Sequence, residues 1–289
     1  MFSRIGITGK TTDTEIGSLL RPLFDHLAPR INQLILDQRL SEHLPNQTTE
    51  SLETIAANSD LVIIIGGDGT LLHSARILAP YNVPVVGINR GRLGFLADIA
   101  SDRMLESLDQ ILDGQYSEDP RFLLHSEIIH SDGSCLDSSL ALNDVVIHKW
   151  LSARMIEFEI WINNSFVESQ RSDGIIVSTP TGSTAYALSG GGPLVYPDLN
   201  AILLVPICPH TLSNRPIMLR SDSTIRFRMC ERTASENVRI TCDGQTTLEI
   251  SRHDQLVITR SQHNVRLLHP AGHDHFEILR NKLNWGHRT

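Results

Sequence analysis

The residues with the clearest capacity for chemistry form a loop, Gly66-Gly67-Asp68-Gly69-Thr70, in which three glycines surround one aspartate. Glycine backbone can approach an anion closely and offer it N–H groups. A helix is predicted to follow the loop, and the N-terminus of a helix favours phosphate. Asp68 is the unusual member, because a carboxylate repels phosphate unless it holds a metal ion or takes up a proton. An Asp-Gly turn between a strand and a helix is the alternative interpretation.

A second polar stretch, from Asp173 to Ser189, is rich in hydroxyl groups and leads into a run of glycines. A short strand at 175–178 leads into its centre, and a helix is predicted to begin near Ser183. Serine and threonine hydroxyls can cap a helix, or they can bind the hydroxyls and phosphates of a ligand. Because capping and turn formation explain only one or two of these hydroxyls, we expect others to contact a ligand.

Asn143 and Asp144 form a third candidate, directly before the apolar Val145-Val146-Ile147. An Asn-Asp pair is often a turn. Alternatively, the carboxylate recognises a ribose and the amide recognises the edge of a base. Arg154 and Arg171 are isolated cations near these polar stretches, and each is either a solvated surface residue or a phosphate ligand.

Alternating strands and helices are predicted to position the Gly66–Thr70 loop. The strands are expected from Arg4, at 34–36, at 61–65 and at 84–89, and the helices after Thr12, at 50–57 and at 71–79. Thr12 and Glu15 have the spacing of a capping box at the start of the first helix. This rhythm is typical of a parallel α/β sheet, so we predict a Rossmann-like domain over residues 1–100.

The pattern changes after residue 100. One more amphipathic helix, at 104–112, is followed by segments that alternate in the manner of strands, among them 139–148 and 155–162. Turns are expected at Asp132-Gly133, Asn163-Asn164 and Asp243-Gly244. We therefore predict a β-rich, β-sandwich-like domain over residues 101–265. The last segment, 266–289, is expected to pack back on the body of the protein.

Composition excludes several classes of function. The chain has 289 residues and a net charge of −8, so it has no basic excess with which to bind nucleic acid or a membrane surface. Its apolar runs are much too short to span a bilayer, and its beginning lacks the apolar core of a signal peptide. Four cysteines without metal-ligand spacing fit a reduced compartment, so we expect a cytoplasmic protein.

His269, His273 and His275 lie close together in the sequence, and the first two are four residues apart, as metal ligands on a helix can be. Pro270 and Gly272 between them oppose a helix. The sequence therefore predicts no metal site built from protein ligands.

Several of these motifs occur in the same order in the NAD kinases. The matching stretches are Gly66–Thr70, Asn143-Asp144, Asp173-Gly174, Thr179–Tyr186, Asn89–Gly91 with Leu93–Leu96, and Pro209–Ser213 with Arg215-Pro216. The chain resembles the bacterial NAD kinases over nearly its whole length. The resemblance implies transfer of the terminal phosphoryl group of ATP, or of polyphosphate, to the 2′-hydroxyl of the adenosine ribose of NAD, which gives NADP.

The resemblance also implies roles for individual residues. Asp68 would be the general base, and the phosphate loop would consist of Gly66, Gly67, Gly69 and Thr70. Asn143 and Thr184 would meet adenine, and Asp144, where many relatives carry glutamate, would meet the nicotinamide-side ribose. The remaining positions implied to contact or border the dinucleotide are Asp68, Gly69, Arg154, Arg171, Asp173, Ala185, Tyr186, Ala187, Leu188, Ser189 and Gln245.

The same resemblance implies a divalent cation, Mg²⁺ or Mn²⁺, that arrives with ATP, and a homodimer or homotetramer. Two other functions stay open on the sequence. A lipid or sugar kinase can share the Gly-Gly-Asp-Gly loop, and a sensor could bind NAD or NADP without turning it over. A substrate panel separates the first from an NAD kinase, and binding without phosphorylation would identify the second.

Overall fold

The computed structural model describes residues 2–10, 16–91, 94–151 and 153–285. The chain forms two compact units, one made of Met1–Pro120 with Asn264–Thr289 and the other of Arg121–His263. The first unit therefore extends past the expected boundary at residue 100 and includes the C-terminal segment. The reason is that the helix Met104–Leu112 buries its apolar face in the core of this unit.

The described residues form eighteen strands and six α-helices. The strands are β1 Arg4–Gly9, β2 Gln33–Asp37, β3 Thr49–Glu50, β4 Leu61–Ile65, β5 Pro84–Asn89, β6 Ile99–Ala100, β7 Tyr116–Ile129, β8 Cys135–Ala141, β9 Asp144–Lys149, β10 Ile156–Ile162, β11 Ser165–Ser172, β12 Gly174–Ser178, β13 Ala201–Ile207, β14 Ile217–Arg220, β15 Ile225–Met229, β16 Val238–Cys242, β17 Thr246–Leu248 and β18 Gln255–Pro270. The helices are α1 Gly17–Leu27, α2 Leu52–Asn58, α3 Asp68–Leu78, α4 Met104–Leu112, α5 Tyr186–Ser189 and α6 His275–Leu283. Short 3₁₀ turns cover Gln38–His43, Ala79–Tyr81, Ser101–Arg103, Thr181–Thr184 and Ser235–Asn237.

A parallel sheet forms the centre of the first unit. Its strands lie in the order β3-β2-β1-β4-β5, followed by the C-terminal part of β18, and β6 also pairs with β5. Every residue of β4 is buried, as a continuous apolar run predicts for a strand covered on both faces. The apolar side of α1 joins the same core through Leu20, Leu23 and Leu27. The prediction of a Rossmann-like α/β domain is confirmed.

The second unit contains two antiparallel arrangements of strands. One has the order β11-β10-β15, continued by the N-terminal part of β18, and the other has the order β14-β13-β12-β9-β16-β17. Phe158 and Phe227 from the first arrangement are fully buried in one cluster with Ile147 and Ile175 from the second. A shared core between two sheets is the packing of a β-sandwich, so the predicted β-rich domain is confirmed.

Three local predictions differ from the structure or fall outside it. The helix expected at 71–79 begins at Asp68, because Gly67 has the extended backbone of an N-cap residue, with φ −92° and ψ −176°. The segment expected as one strand, 139–148, is divided into β8 and β9 at Leu142-Asn143. The proposed Thr12–Glu15 capping box lies outside the described residues. None of the helices in the described ranges combines the length and apolarity needed to cross a bilayer.

Candidate active site

The Gly66–Thr70 loop follows β4 directly, and its last three residues form the first turn of α3. Gly67 and Gly69 are exposed, while the N–H of Gly66 donates to the Ile88 carbonyl at 2.9 Å. A Cβ on Gly66 would lie 2.6 Å from Thr70 Oγ1, so this position requires glycine for the tight turn. A Cβ on Gly67 would meet no described atom within 4 Å, so the loop presents open backbone at a helix N-terminus. Such an arrangement attracts phosphate through N–H groups and the helix dipole.

Asp68 is held in a fixed orientation by backbone amides that follow β5. Its Oδ2 accepts from Phe95 N at 2.8 Å, and its Oδ1 accepts from Leu96 N at 3.0 Å and from Ala97 N at 3.1 Å. A Cβ on Gly94 would overlap Oδ1, so glycine at that position makes room for the carboxylate. These N–H dipoles stabilise the negative charge that seemed out of place in a phosphate loop. Sequence reasoning missed this support, although Gly94 and Phe95 lie in a stretch that resembles the NAD kinases.

Several of the other predicted site residues line a cavity of about 490 Å³ in the second unit. Five predicted residues line it: Asn143, Asp144, Asp173, Ala185 and Tyr186. Residues that were not predicted to contact a ligand complete the lining: Val146, His148, Lys149, Ile207, Thr241, Asp243 and Gly244. The ring of Tyr186 is 47% exposed, which suits stacking against a planar ligand group.

Asp243 organises the Asn143-Asp144 pair. Its carboxylate accepts from the N–H groups of Leu142, Asn143 and Asp144 at 3.0, 2.7 and 3.2 Å. Asp243 and Gly244 both have positive φ, 53° and 63°, in the turn after β16. These hydrogen bonds also explain why the strand predicted at 139–148 is interrupted. The sequence showed Asp243-Gly244 only as a hairpin turn. The role of Asp243 at the cavity depends on its hydrogen bonds to residues 142–144, about a hundred positions earlier in the chain.

The carboxyl group of Asp144 has an unusually high pKa. Burial raises the pKa of its carboxyl to about 7, and the charge of Asp243 adds to the rise. A buried carboxylate of this kind gains from a ligand that donates hydrogen bonds, such as the paired hydroxyls of a ribose.

The raised pKa makes a prediction for Asp144→Asn. In the unfolded chain Asp144 ionises near pH 3.8, but in the folded protein it keeps its proton until about pH 7. The free energy of unfolding of the wild type should therefore fall as pH rises through this window. The shift corresponds to at most about 4 kcal/mol. Asp144→Asn lacks this penalty, so urea unfolding of the ligand-free protein should show a stabilisation near pH 8 that disappears near pH 4.

Asp173→Asn is the matched control, since Asp173 lines the same cavity but has a cationic partner. Its Oδ1 lies 2.7 Å from Lys149 Nζ, so removing its charge breaks an ion pair and should not stabilise the protein at any pH. A stabilisation of Asp144→Asn that did not vary with pH would contradict the buried-charge interpretation.

The hydroxyls between Ser178 and Thr184 have mainly structural partners, contrary to expectation. Ser178, Thr179, Ser183 and Thr184 each donate to a backbone carbonyl. Thr181 Oγ1 accepts from Arg121 at 3.1 Å. Turn and capping chemistry therefore explains most of this motif, because the chain must fold tightly here: a Cβ on Gly182 would overlap the Asn143 carbonyl. The hydroxyls fix the backbone that carries Ala185 and Tyr186 to the cavity.

The other predicted contacts lie outside the lining of this cavity. Ala187 is fully buried in a small apolar core with Val146 and Ile176. Arg154 and Arg171 are exposed, and Gln245 is exposed next to the Asp243-Gly244 turn. Thr184 and Leu188 are half-buried, and Ser189 is exposed on α5. For these residues, contact with a ligand stays a prediction.

Comparison with known proteins gives a consistent result. The models of the ATP-NAD kinase N-terminal and C-terminal domains match residues 5–116 and 142–270. The NAD kinase of Hydrogenovibrio crunogenus is 46% identical over 295 residues, covering 100% of both chains. The NAD kinase of Nitrosomonas europaea is 44% identical, covering 99% of this chain and 96% of the relative.

Solved structures share the fold. Yeast NADH kinase complexed with NADH matches with a TM-score of 0.88 at 25% identity. The match covers 99% of this chain and 89% of the yeast chain. An NAD kinase from Archaeoglobus fulgidus in complex with ATP has a TM-score of 0.74 at 24% identity, covering 97% and 98%. Both domain models match in order, and full-length relatives share nearly half of the residues, so this chain belongs to the NAD kinase family.

Proposed function

We propose that this protein is an NAD kinase, which transfers the terminal phosphoryl group of ATP to the 2′-hydroxyl of the adenosine ribose of NAD. The products are NADP and ADP. In this step a bond forms between the ribose oxygen and the γ-phosphorus, and the bond from that phosphorus to the bridging oxygen of ADP breaks. The hydroxyl proton passes to Asp68.

The observation that carries this proposal is the geometry of Asp68 in the Gly66–Thr70 loop. Its carboxylate lies at the start of α3, beside exposed glycine backbone that suits a phosphate. Oδ2 accepts one backbone hydrogen bond, from Phe95 N, and so retains a lone pair for a hydroxyl. A positioned general base next to an anion-binding loop is what phosphoryl transfer to an alcohol needs.

The cavity of the second unit supports the choice of a dinucleotide as acceptor. The Asn143 amide can pair with a base edge, and the half-neutralised Asp144 can accept from ribose hydroxyls. Tyr186 can stack on a planar ring, and the Asp173 carboxylate with Ala185 can receive the nicotinamide amide. The yeast relative was solved with NADH, which is a ligand of this class.

We further propose that Mg²⁺ or Mn²⁺ enters with ATP. Both oxygens of Asp68 already accept backbone hydrogen bonds, which leaves little of this carboxylate for a cation held by the protein. Phosphate oxygens and water provide the oxygen ligands that these ions prefer, and the ion would neutralise charge on the phosphates. We also expect a cytoplasmic homodimer or homotetramer with no nucleic-acid or membrane partner.

The decisive experiment is a coupled assay. Purified protein with NAD, ATP and Mg²⁺ should produce NADP, measured by a dehydrogenase that uses NADP alone. Parallel reactions replace ATP with polyphosphate and NAD with NADH, which defines the donor and the acceptor. Binding of NAD with no NADP formed from either donor would indicate a sensor, and phosphorylation of a lipid or sugar instead would indicate the other alternative.

A further inference from the structure

A cluster of two histidines and an aspartate lies in the first unit, away from the Gly66–Thr70 loop in sequence. Asp98 precedes β6, His269 lies near the end of β18, and His273 lies just before α6. The Nδ1 atoms of both histidines lie 2.7 Å from the same oxygen, Asp98 Oδ2. The two imidazole rings are stacked, with centroids 3.8 Å apart and an interplanar angle of 17°. One nitrogen or oxygen from each residue lies within 4.8 Å of the others.

The cluster is mostly buried, so water can satisfy few of its charges and lone pairs. The side chains of His269 and Asp98 are 3% and 8% exposed, and that of His273 is 16% exposed. His269 Nε2 is completely buried and makes no hydrogen bond in the described part of the chain. Asp119 Oδ2 lies 3.4 Å from this nitrogen. A neutral imidazole that donates from Nδ1 would turn the lone pair of Nε2 toward this carboxylate, which is unfavourable.

We propose that Asp98, His269 and His273 bind a divalent transition-metal ion of the Zn²⁺ class, through the two Nδ1 atoms and an Asp98 oxygen. Two imidazoles and one carboxylate are a ligand set that zinc takes, with one further position for water. An adjoining cavity of about 270 Å³, lined by Asp98 and His273 among others, gives water access to that position. Mg²⁺ is a poor candidate because it prefers oxygen ligands.

A metal ion would explain why the Asp119 carboxylate lies beside Nε2 of His269. When Nδ1 of His269 bonds to a metal ion, its Nε2 carries the hydrogen and becomes a donor. Asp119 Oδ2, 3.4 Å away, can then become the acceptor after a small rotation of either side chain. Metal-bound histidines commonly donate their second N–H to a carboxylate in this way, which orients the ring. The cation also offsets the charge of Asp98, whose side chain is only 8% exposed.

The ion would tie together two segments of the first unit that lie about 170 residues apart in the sequence. Its ligands come from the segment before β6, from the end of β18 and from the loop before α6. We assign it a structural role, namely to fasten the C-terminal segment that contains α6. Such a role predicts that zinc stabilises the folded protein in proportion to its occupancy.

Zinc stoichiometry tests the proposal directly. Full-length protein without a histidine tag is stripped with a chelator, equilibrated with Zn²⁺, passed through a desalting column and measured by elemental analysis. We expect one zinc per chain for the wild type and for the control His275→Ala, whose histidine lies outside the cluster. His273→Ala should retain none, and it is preferred to a change at His269 because the latter is more deeply buried.

Two further measurements separate a metal site from a structural hydrogen-bond cluster. Asp119→Asn should weaken zinc binding by about 10–100-fold, as loss of a carboxylate partner of a ligating histidine does. Added Zn²⁺ should raise the Tm of the wild type and of His275→Ala but leave that of His273→Ala unchanged. Excess Mg²⁺ should not displace the zinc.

The competing state is an imidazolium at His269 held by two carboxylates. Burial lowers the pKa of His269, but the nearby Asp119 and Asp98 carboxylates outweigh this effect and raise the pKa to about 9. If the wild type retained no zinc, or if His273→Ala retained as much as the wild type, the metal proposal would be overturned in favour of this state.

Discussion

Asp68→Asn is expected to lower kcat by about 10²–10⁴-fold while the dissociation constant for NAD stays close to that of the wild type. The amide that replaces the carboxylate cannot accept the proton of the ribose hydroxyl. Its oxygen can still accept from Leu96 N and Ala97 N, so the side chain keeps its place in the loop. Initial rates from the coupled NADP assay and calorimetric titration with NAD measure the two quantities.

The variant also has a structural cost that must be separated from catalysis. The new NH₂ group faces the N–H of Phe95, so one backbone donor loses its acceptor, which costs about 1–3 kcal/mol of stability. Asp60→Asn is the matched control, because Asp60 Oδ2 likewise accepts from backbone N–H groups, those of Ser3 and Arg4, each at 3.0 Å. It should lose stability but keep its kcat. If NAD binding disappeared with Asp68→Asn, Asp68 would be a ligand contact rather than the base.

Gly94→Ala should reduce kcat by roughly 10²-fold without changing any group that takes part in the chemistry. The added Cβ would overlap Asp68 Oδ1, so the carboxylate must move or the segment that holds it must shift. A misplacement of about 1 Å in a reacting group is enough for a loss of this size. The affinity for NAD should change little, because Gly94 acts through Asp68.

A double-mutant cycle tests whether Gly94 acts through Asp68. In the Asp68→Asn background, where the base is already absent, Gly94→Ala should reduce kcat only slightly further. Residues that act as one unit show this non-additivity, whereas independent sites add. An equal fold-loss of kcat in both backgrounds would show that Gly94 affects activity by another route.

Much of the first unit was predictable because its signals are local. The buried run at 61–65, the glycines after it and the amphipathic helix that follows are consecutive in the chain, and short-range backbone preferences specify each of them. The alternation of apolar residues at 156–162 likewise identified a strand, and Asn163-Asn164 identified its turn. The start of α3 was misplaced by three residues, because the sequence alone did not show Gly67 acting as the N-cap.

The hydroxyl-rich motif at 178–184 shows what a local argument leaves out, namely the partners that its hydroxyls find in distant segments. Counting its hydroxyls led to the expectation of ligand contacts, since a single helix start needs few caps. In the folded chain most of them satisfy backbone carbonyls of neighbouring segments, for example Thr179 Oγ1 to the Leu142 carbonyl at 2.6 Å. A motif can thus be specific to a family because its fold requires it.

The sequence by itself determined the two kinds of domain, the Gly66–Thr70 loop, and the resemblance that the comparisons confirmed. The tertiary structure decided which groups meet: Asp68 with the amides of 95–97, Asp144 with Asp243, and Asp98 with His269 and His273. Periodicity and turn chemistry act over a few residues, so they can be read along the chain. Contacts between residues about thirty to 170 positions apart depend on strand register and packing, which no single segment encodes.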